Sequence, residues 1–170
     1  VIQLGAILAV VVLYFKKLNP FSRGKSSKMR RLTIELWKKI IIACLPAAML
    51  GFLIDDWLDA HLYNGFVVSM ALIIYGILFM IENSNKKRVD SIRSVHAIDY
   101  QTALFIGFFQ VLALIPGTSR SGATIIGGMI LGASRAVSAE FSFFLSIPIM
   151  FGASLLKLVK FGFHYTAAEV

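Results

Sequence analysis

The sequence predicts an all-α membrane protein, a polytopic helix bundle with a re-entrant helical hairpin. Three observations carry this. Of 170 residues, 58% are hydrophobic and 15% charged, whereas a soluble domain is about half apolar and a quarter charged. The apolar residues fall in blocks, and the connectors between them alternate in charge. Further along, two apolar stretches, each short of the ~20 residues that cross a bilayer, flank a polar turn broken by Pro and Gly.

The first block, residues 2–15, reads as a spanning helix. A basic stretch follows, with Lys16, Lys17, Arg23, Lys25, Lys28, Arg30, Arg31, Lys38 and Lys39 against Glu35. Its middle, Asn19 to Ser27, holds Pro, Gly and Ser and reads as a loop. Leu32 to Trp37 is expected to begin the next helix at headgroup level, with a span over about 36–54. Pro46 is tolerable there, because neighbouring helices can satisfy the carbonyl it frees. Asp55, Asp56, Asp59 and His61 then form an acidic connector, with Trp57 and Tyr63 at interfacial positions. These acids superficially resemble metal ligands, but charges at a helix boundary are solvated without further partners. A third span covers about 66–82, and Lys86, Lys87, Arg88 and Arg93 follow it. Connectors that run basic, acidic, basic agree with three spans and place the basic ones in the cytoplasm.

The same distribution argues against nucleic-acid binding despite the net charge of +8, because the cations flank apolar blocks beside anionic headgroups. The single cysteine, Cys44, lies in an apolar block and reads as a small buried side chain. The chain starts at Val1 inside an apolar stretch and ends at Val170, and is expected to be a piece cut at both ends. Its opening does not read as a signal peptide, since no basic region precedes it and no cleavage site follows.

Ala103 to Pro116 and Gly122 to Ala133 are the two half-length apolar stretches, giving a hairpin over about 102–134. Irregular backbone at membrane depth survives only when protein buries it or it lines a wet cavity. Gly128 and Gly132, with Gly127 adjacent, have the spacing that lets helices approach closely. The last span, about 141–163, carries Pro148 and ends near Lys157, Lys160 and His164.

The chemistry concentrates in PGTSRSGAT, residues 116–124. A guanidinium on a membrane-embedded turn needs an anionic partner, and the loop holds no acid to pair with Arg120. A bound phosphate would serve, gripped by the planar fork. Ser119, Ser121 and Thr124 offer hydroxyls, while Gly117 and Gly122 would let backbone N–H groups approach the anion. A helix starting near Ser121 would add its positive end. A carboxylate ligand fits nearly as well, and Arg120 could instead reach a carboxylate such as Glu140. Arg135 and Glu140 read either as an interfacial ion pair or cap, or, for Glu140, as a partner of Arg120 at the ligand site. Gln110, alone in an apolar half-helix, could face the same cavity or bond a neighbouring helix. The loop is not a Walker A motif, having no Gly-Lys-Ser/Thr and no preceding strand.

PGTSRSGAT, followed by GASRAVSAEFSFFLSIP at 132–148, resembles the second signature region of undecaprenyl-pyrophosphate phosphatases, the bacitracin-resistance family. The opening VIQLGAILAVVVLYF resembles the stretch after that family's first signature. The similarity spans nearly the whole chain, and PGxSRSxxT is highly specific. The resemblance implies a multi-pass enzyme of the bacterial inner membrane with an inverted-repeat fold, and is compatible with a homodimer. It implies cleavage of undecaprenyl pyrophosphate to undecaprenyl phosphate and inorganic phosphate, recycling the lipid carrier for cell-wall synthesis. By motif match, Ser119, Arg120 and Thr124 would be active-site residues. The first signature, with paired glutamates and a histidine, has no match here. The family's divalent cation, Mg or Ca, is therefore expected to take ligands from outside this chain, and the chain alone to be inactive.

The rival reading is a transporter or flippase of a lipid-linked phosphate, since broken helices and an intramembrane arginine suit transport equally well. The lipid-phosphatase class with an SRxxxxxHxxxD signature fails. Its histidine position holds Ile126 after Ser119-Arg120 and Phe141 after Ser134-Arg135.

Overall fold

A computed structural model describes residues 2–22, 24–84 and 90–161. Arg23, Lys86, Lys87, Arg88 and His164 lie outside the described residues, as do the side chains of Asp55, Asp56, Asp59, Lys157 and Lys160. The helices are α1 (Ile2–Leu13), α2 (Phe15–Leu18), α3 (Ser27–Leu62), α4 (Gly65–Ser84), α5 (Tyr100–Val111), α6 (Arg120–Ile130) and α7 (Arg135–Phe161). Two 3-10 turns cover Val95–Ala97 and Leu112–Leu114. The molecule is an all-α membrane bundle in which α3, α4 and α7 are long and apolar enough to cross a bilayer.

α3 begins earlier than the composition suggests, at Ser27 rather than near Leu32. Ser26 caps it by accepting from the Met29 N–H at 3.4 Å. Within its basic first third, Thr33 and Leu36 are buried against the bundle, and Trp37 Nε1 donates to the Leu18 carbonyl at 2.9 Å. Lys25 Nζ reaches the Lys17 carbonyl and Thr33 Oγ1, strapping the connector onto α3. These tertiary anchors make the helix; a local pattern of Lys and Arg does not reveal them. A helix of 36 residues is about 54 Å long, so its basic end stands outside a core of about 30 Å. At the other end His61 stacks on Trp57, with ring centroids 4.8 Å apart.

α5 runs against α3 so closely that a Cβ on Gly107 would sit 2.3 Å from the Ala43 carbonyl oxygen. Around this crossing Leu36, Ile40, Ala103, Ile106, Phe141 and Phe144 form the buried core. Asp99 caps α5, its carboxylate accepting the Thr102 N–H at 2.7 Å. At the far end of the hairpin, the Gly132 carbonyl accepts from the Ser91 and Ile92 N–H groups, and Ser134 N–H donates back to Ile92. Both feet of the hairpin therefore rest beside the second basic connector. Its tip lies opposite, where Leu114 meets Gly51 of α3 and Gly117 meets Val68 near the start of α4. Tyr100 to Leu114 rises about 24 Å, so the tip reaches most of the way across the bilayer.

The glycines of α6 do not act as the spacing alone implies. Gly127 receives the Phe109 ring of α5, and Gly128 receives Ser138 of α7. Gly132 instead ends the helix with φ +91°, a left-handed conformation that a side chain resists. The Gly128–Gly132 pair is one packing contact plus one helix stop.

Candidate active site

The tip turns at Gly117, where φ is +88°, and the Thr118 N–H closes the turn on the Ile115 carbonyl at 3.1 Å. A Cβ at Gly117 would lie 2.7 Å from the Val68 carbonyl oxygen. The space beside this glycine is thus filled by α4 backbone rather than left open to an anion. Gly122 is similar: its N–H donates to Ser119 Oγ at 3.2 Å, and a Cβ there would press on the Phe79 ring. Both glycines, expected to contact ligand directly, instead seat the loop against α4.

Ser119 is the N-cap of α6 and is exposed, with its hydroxyl 3.3 Å from that of Ser121. Capping uses the oxygen as acceptor and leaves the O–H proton free to donate. The Arg120 and Ser121 N–H groups have no intrahelical acceptor, because they open the helix. Hydroxyls, orphan amides and the positive helix end together form a donor set.

Arg120 is half-buried and turned inward. Its Nη2 lies 3.9 Å from Met150 Sδ of α7, and its charge is within electrostatic reach of Cys44 on α3. Among the described residues no carboxylate pairs with it. Glu140 does not supply one, because it forms an ion pair with Lys17 of α2. Met150 follows Glu140 by ten residues on α7, about 15 Å along the axis, so Glu140 lies nearly three turns from the level of Arg120. Glu140 is a clamp between α2 and α7, and its place in the ligand site is withdrawn.

Thr124 is 2% exposed. Its Oγ1 donates within α6 to the Arg120 or Ser121 carbonyl, and lies 2.7 Å from Ser142 Oγ of α7. It bolts α6 to α7 and thereby holds the backbone that carries Arg120. Ser138, Ser142 and Ser146, spaced by four on the buried face of α7, give α6 room to approach. Thr124→Val leaves Ser142 with an unmatched hydroxyl, and should cost about 1–3 kcal/mol in thermal or denaturant unfolding. The double variant Thr124→Val/Ser142→Ala should recover part of that loss.

Gln110 is also 2% exposed, and neither amide atom has a partner among the described residues. It lies between Gly107, which meets Ala43, and Leu114, which meets Gly51, inside the hairpin below the tip. A buried amide without partners adds to the polar groups in this interior, with the Thr118 and Ser138 hydroxyls, that the described residues leave unmatched. Met150, Ser142, Val68 and Phe79 were not flagged by the sequence. Only the serine spacing in α7 carried a readable signal.

Beneath Glu140, the His96 ring is held below the ordinary histidine range by burial and by Lys17, with a smaller push from Lys39 and an opposing pull from Glu140. A histidine whose folded pKa is depressed contributes stability above its unfolded pKa, and that contribution is lost as pH falls. The melting temperature should therefore drop between about pH 7.5 and about pH 5.5, spanning the ordinary value of about 6.5. His96→Gln should flatten that slope.

Among the described residues no group of three or more His, Cys, Asp or Glu side chains stands close enough to hold a metal ion. The loop places a cation, Arg120, beside its hydroxyls, which disfavours a divalent ion there, and the described residues do not make a cation seat.

A bundle of helices long and apolar enough to cross a bilayer, with an arginine at the hairpin tip that has no counter-ion among the described residues, defines a membrane protein with a candidate anion site. The chain belongs to the bacitracin resistance protein BacA family, whose sequence model matches residues 1–170. It is 60% identical over 165 residues to the undecaprenyl-diphosphatase of Limosilactobacillus fermentum (strain NBRC 3956 / LMG 18251), covering 96% of this chain and 60% of that one. It is 56% identical over 173 residues to the undecaprenyl-diphosphatase of Enterococcus faecalis, covering 100% of this chain and 63% of that one. The chain thus spans about 60% of the length of the curated relatives it matches.

Proposed function

We propose that this chain carries the phosphate-binding half of an undecaprenyl-pyrophosphate phosphatase of the bacterial inner membrane. The activity is the one its relatives are named for, and it would recycle the lipid carrier and confer bacitracin resistance. The observation that carries the proposal is Arg120. A charge at the centre of a membrane helix costs roughly 2.5–3.5 kcal/mol on insertion scales, and among the described residues no carboxylate pairs with the guanidinium, whose nearest polar contact is the Met150 thioether. A bound pyrophosphate offers the missing charge.

In this reading the fork of Arg120 holds two phosphoryl oxygens, and the Arg120 and Ser121 N–H groups and the Ser119 and Ser121 hydroxyls donate to the rest. Water adds to the terminal phosphorus, the bridging P–O bond breaks, and the prenyl phosphate departs with that oxygen. The donors stabilise charge that builds on the phosphoryl oxygens, which is where phosphoryl transfer gains most. Among the described residues Ser119 bonds the Gly122 N–H and Ser121, and no base stands beside it. It is assigned a hydrogen-bonding role, Thr124 a positioning role, and the Gln110 amide a second contact in the polar interior. The tip lies at the acidic-connector end of the spans, so with basic connectors in the cytoplasm the headgroup would be processed from the outer face.

The purified full-length protein that carries this segment, given undecaprenyl pyrophosphate in detergent, should release inorganic phosphate. Movement of the intact lipid between leaflets of a proteoliposome, with no phosphate released, would favour the transporter instead.

A further inference from the structure

α4 offers the bundle one narrow face. Val68, Ala71, Tyr75 and Phe79 fall on it at helical spacing, and between Ser69 and Ile81 only Ala71 and Tyr75 are not exposed. Two members of this face already hold the arginine loop: the Val68 backbone meets Gly117, and the Phe79 ring meets Gly122. Tyr75 stands between them, close to two full turns after Val68 and about one turn before Phe79. It also carries the only polar side chain from Met70 to Ile81, so nothing local calls for a hydroxyl there. Its phenol comes up against the stretch between the two glycines, and the hydroxyl it reaches is that of Thr118. Thr118 Oγ1 is buried, and the two hydroxyls stop short of the distance and alignment of a hydrogen bond. Each is costly to leave unmatched away from water.

We propose that Tyr75 is a positioning residue for the anion site: its phenol bonds the Thr118 hydroxyl when the headgroup binds, and so fixes the direction in which the loop presents its donors. The proposal rests on the phosphatase reading above for what is bound. Tyr75 does not touch the ligand, because it approaches from α4, whereas Arg120 turns toward Met150 of α7 and Cys44 of α3. It acts through the chain. Thr118 immediately precedes Ser119, the N-cap of α6, so a bond that holds Thr118 also aims the cap hydroxyl and the Arg120 and Ser121 N–H groups. Hydrogen bonds of active sites are often long in the empty enzyme and tighten with substrate, which is the state seen between Tyr75 and Thr118. The two glycines set how closely α4 approaches, and the phenol sets which way the loop faces.

The test uses the full-length protein that carries this segment, with Tyr75→Phe, Thr118→Val, the double variant and Thr118→Ser. Undecaprenyl pyrophosphate reads turnover. A farnesyl bisphosphonate, with a methylene in place of the bridging oxygen, reads binding without turnover. Tyr75→Phe is expected to lower kcat and bisphosphonate affinity about fivefold each, the size of one neutral hydrogen bond. The melting temperature of the ligand-free protein should stay unchanged, because the bond is not made there. Thr118→Val should give the same losses, the double variant should lose no more than either single one, and Thr118→Ser should stay near wild type. Unchanged affinity and turnover in Tyr75→Phe, or losses that multiply in the double variant, would overturn the proposal. So would a lower ligand-free melting temperature with unchanged affinity, which would make Tyr75 a packing residue alone. If the wild type releases no phosphate but its bisphosphonate affinity falls in Tyr75→Phe, the phosphatase reading fails and this one stands. A wild type that does not bind the bisphosphonate would overturn both.

Discussion

In the full-length enzyme, Arg120→Lys is expected to lower phosphate release from undecaprenyl pyrophosphate by about 100-fold or more while leaving the protein folded. Removing one preorganised donor from a site of developing charge typically costs two to three orders of magnitude. Lysine keeps the charge but presents a point donor on a flexible stem, so it cannot hold two oxygens in one plane. The pair of effects matters more than the loss alone. Arg120 makes no ion pair among the described residues, so its replacement removes no structural bond beyond a weak contact with Met150. Arg120→Gln should accordingly keep or raise the melting temperature, because a half-buried charge has been removed. A residue that mattered only for structure would do the reverse. Near-normal turnover in Arg120→Lys would remove the bidentate grip from the account.

The largest expected effect on stability is at Gly107. A methyl group there would lie 2.3 Å from the Ala43 carbonyl oxygen and 3.0 Å from its carbon. These are backbone atoms of a 36-residue helix, so no side chain can swing aside. The helices must separate, and the contact between α3 and α5 is the most extensive in the bundle. Overpacking of this kind costs about 3 kcal/mol or more. Gly107→Ala should lower the yield of folded protein and the melting temperature sharply, whereas Gly152→Ala, with open space around it, should change neither. Because α5 sets the height of the tip, a Gly107→Ala protein that does fold should also lose phosphate release.

What could be read from the sequence was what local chemistry dictates. Apolar blocks set apart by charged connectors marked the long helices, and Pro116-Gly117 between two short apolar stretches marked the hairpin. An arginine on that turn marked the candidate site. What could not be read depends on contacts distant along the chain. Ser27 begins α3 because Leu36 and Thr33 find a buried face and Trp37 finds the Leu18 carbonyl, and none of this follows from a run of Lys and Arg. Glu140 pairs with Lys17, which is 123 residues away. Gly117, Gly122 and Thr124 sit in the signature for reasons of packing: two let α4 approach, and one joins α6 to Ser142. Sequence shows that these residues adjoin Arg120 and hides the direction in which each one points.

The central claim is that a pyrophosphate is the counter-ion of Arg120. Solid-state NMR can measure the distance directly, using protein labelled with ¹⁵N at its arginine guanidinium groups in bilayers and farnesyl pyrophosphate as the ³¹P partner. The account predicts dephasing of one arginine signal at a contact distance of about 4 Å or less, as expected for a guanidinium hydrogen-bonded to phosphate. It also predicts that this signal disappears in Arg120→Lys. Absence of any phosphorus–guanidinium contact under saturating ligand, or the same contact persisting in Arg120→Lys, would contradict it.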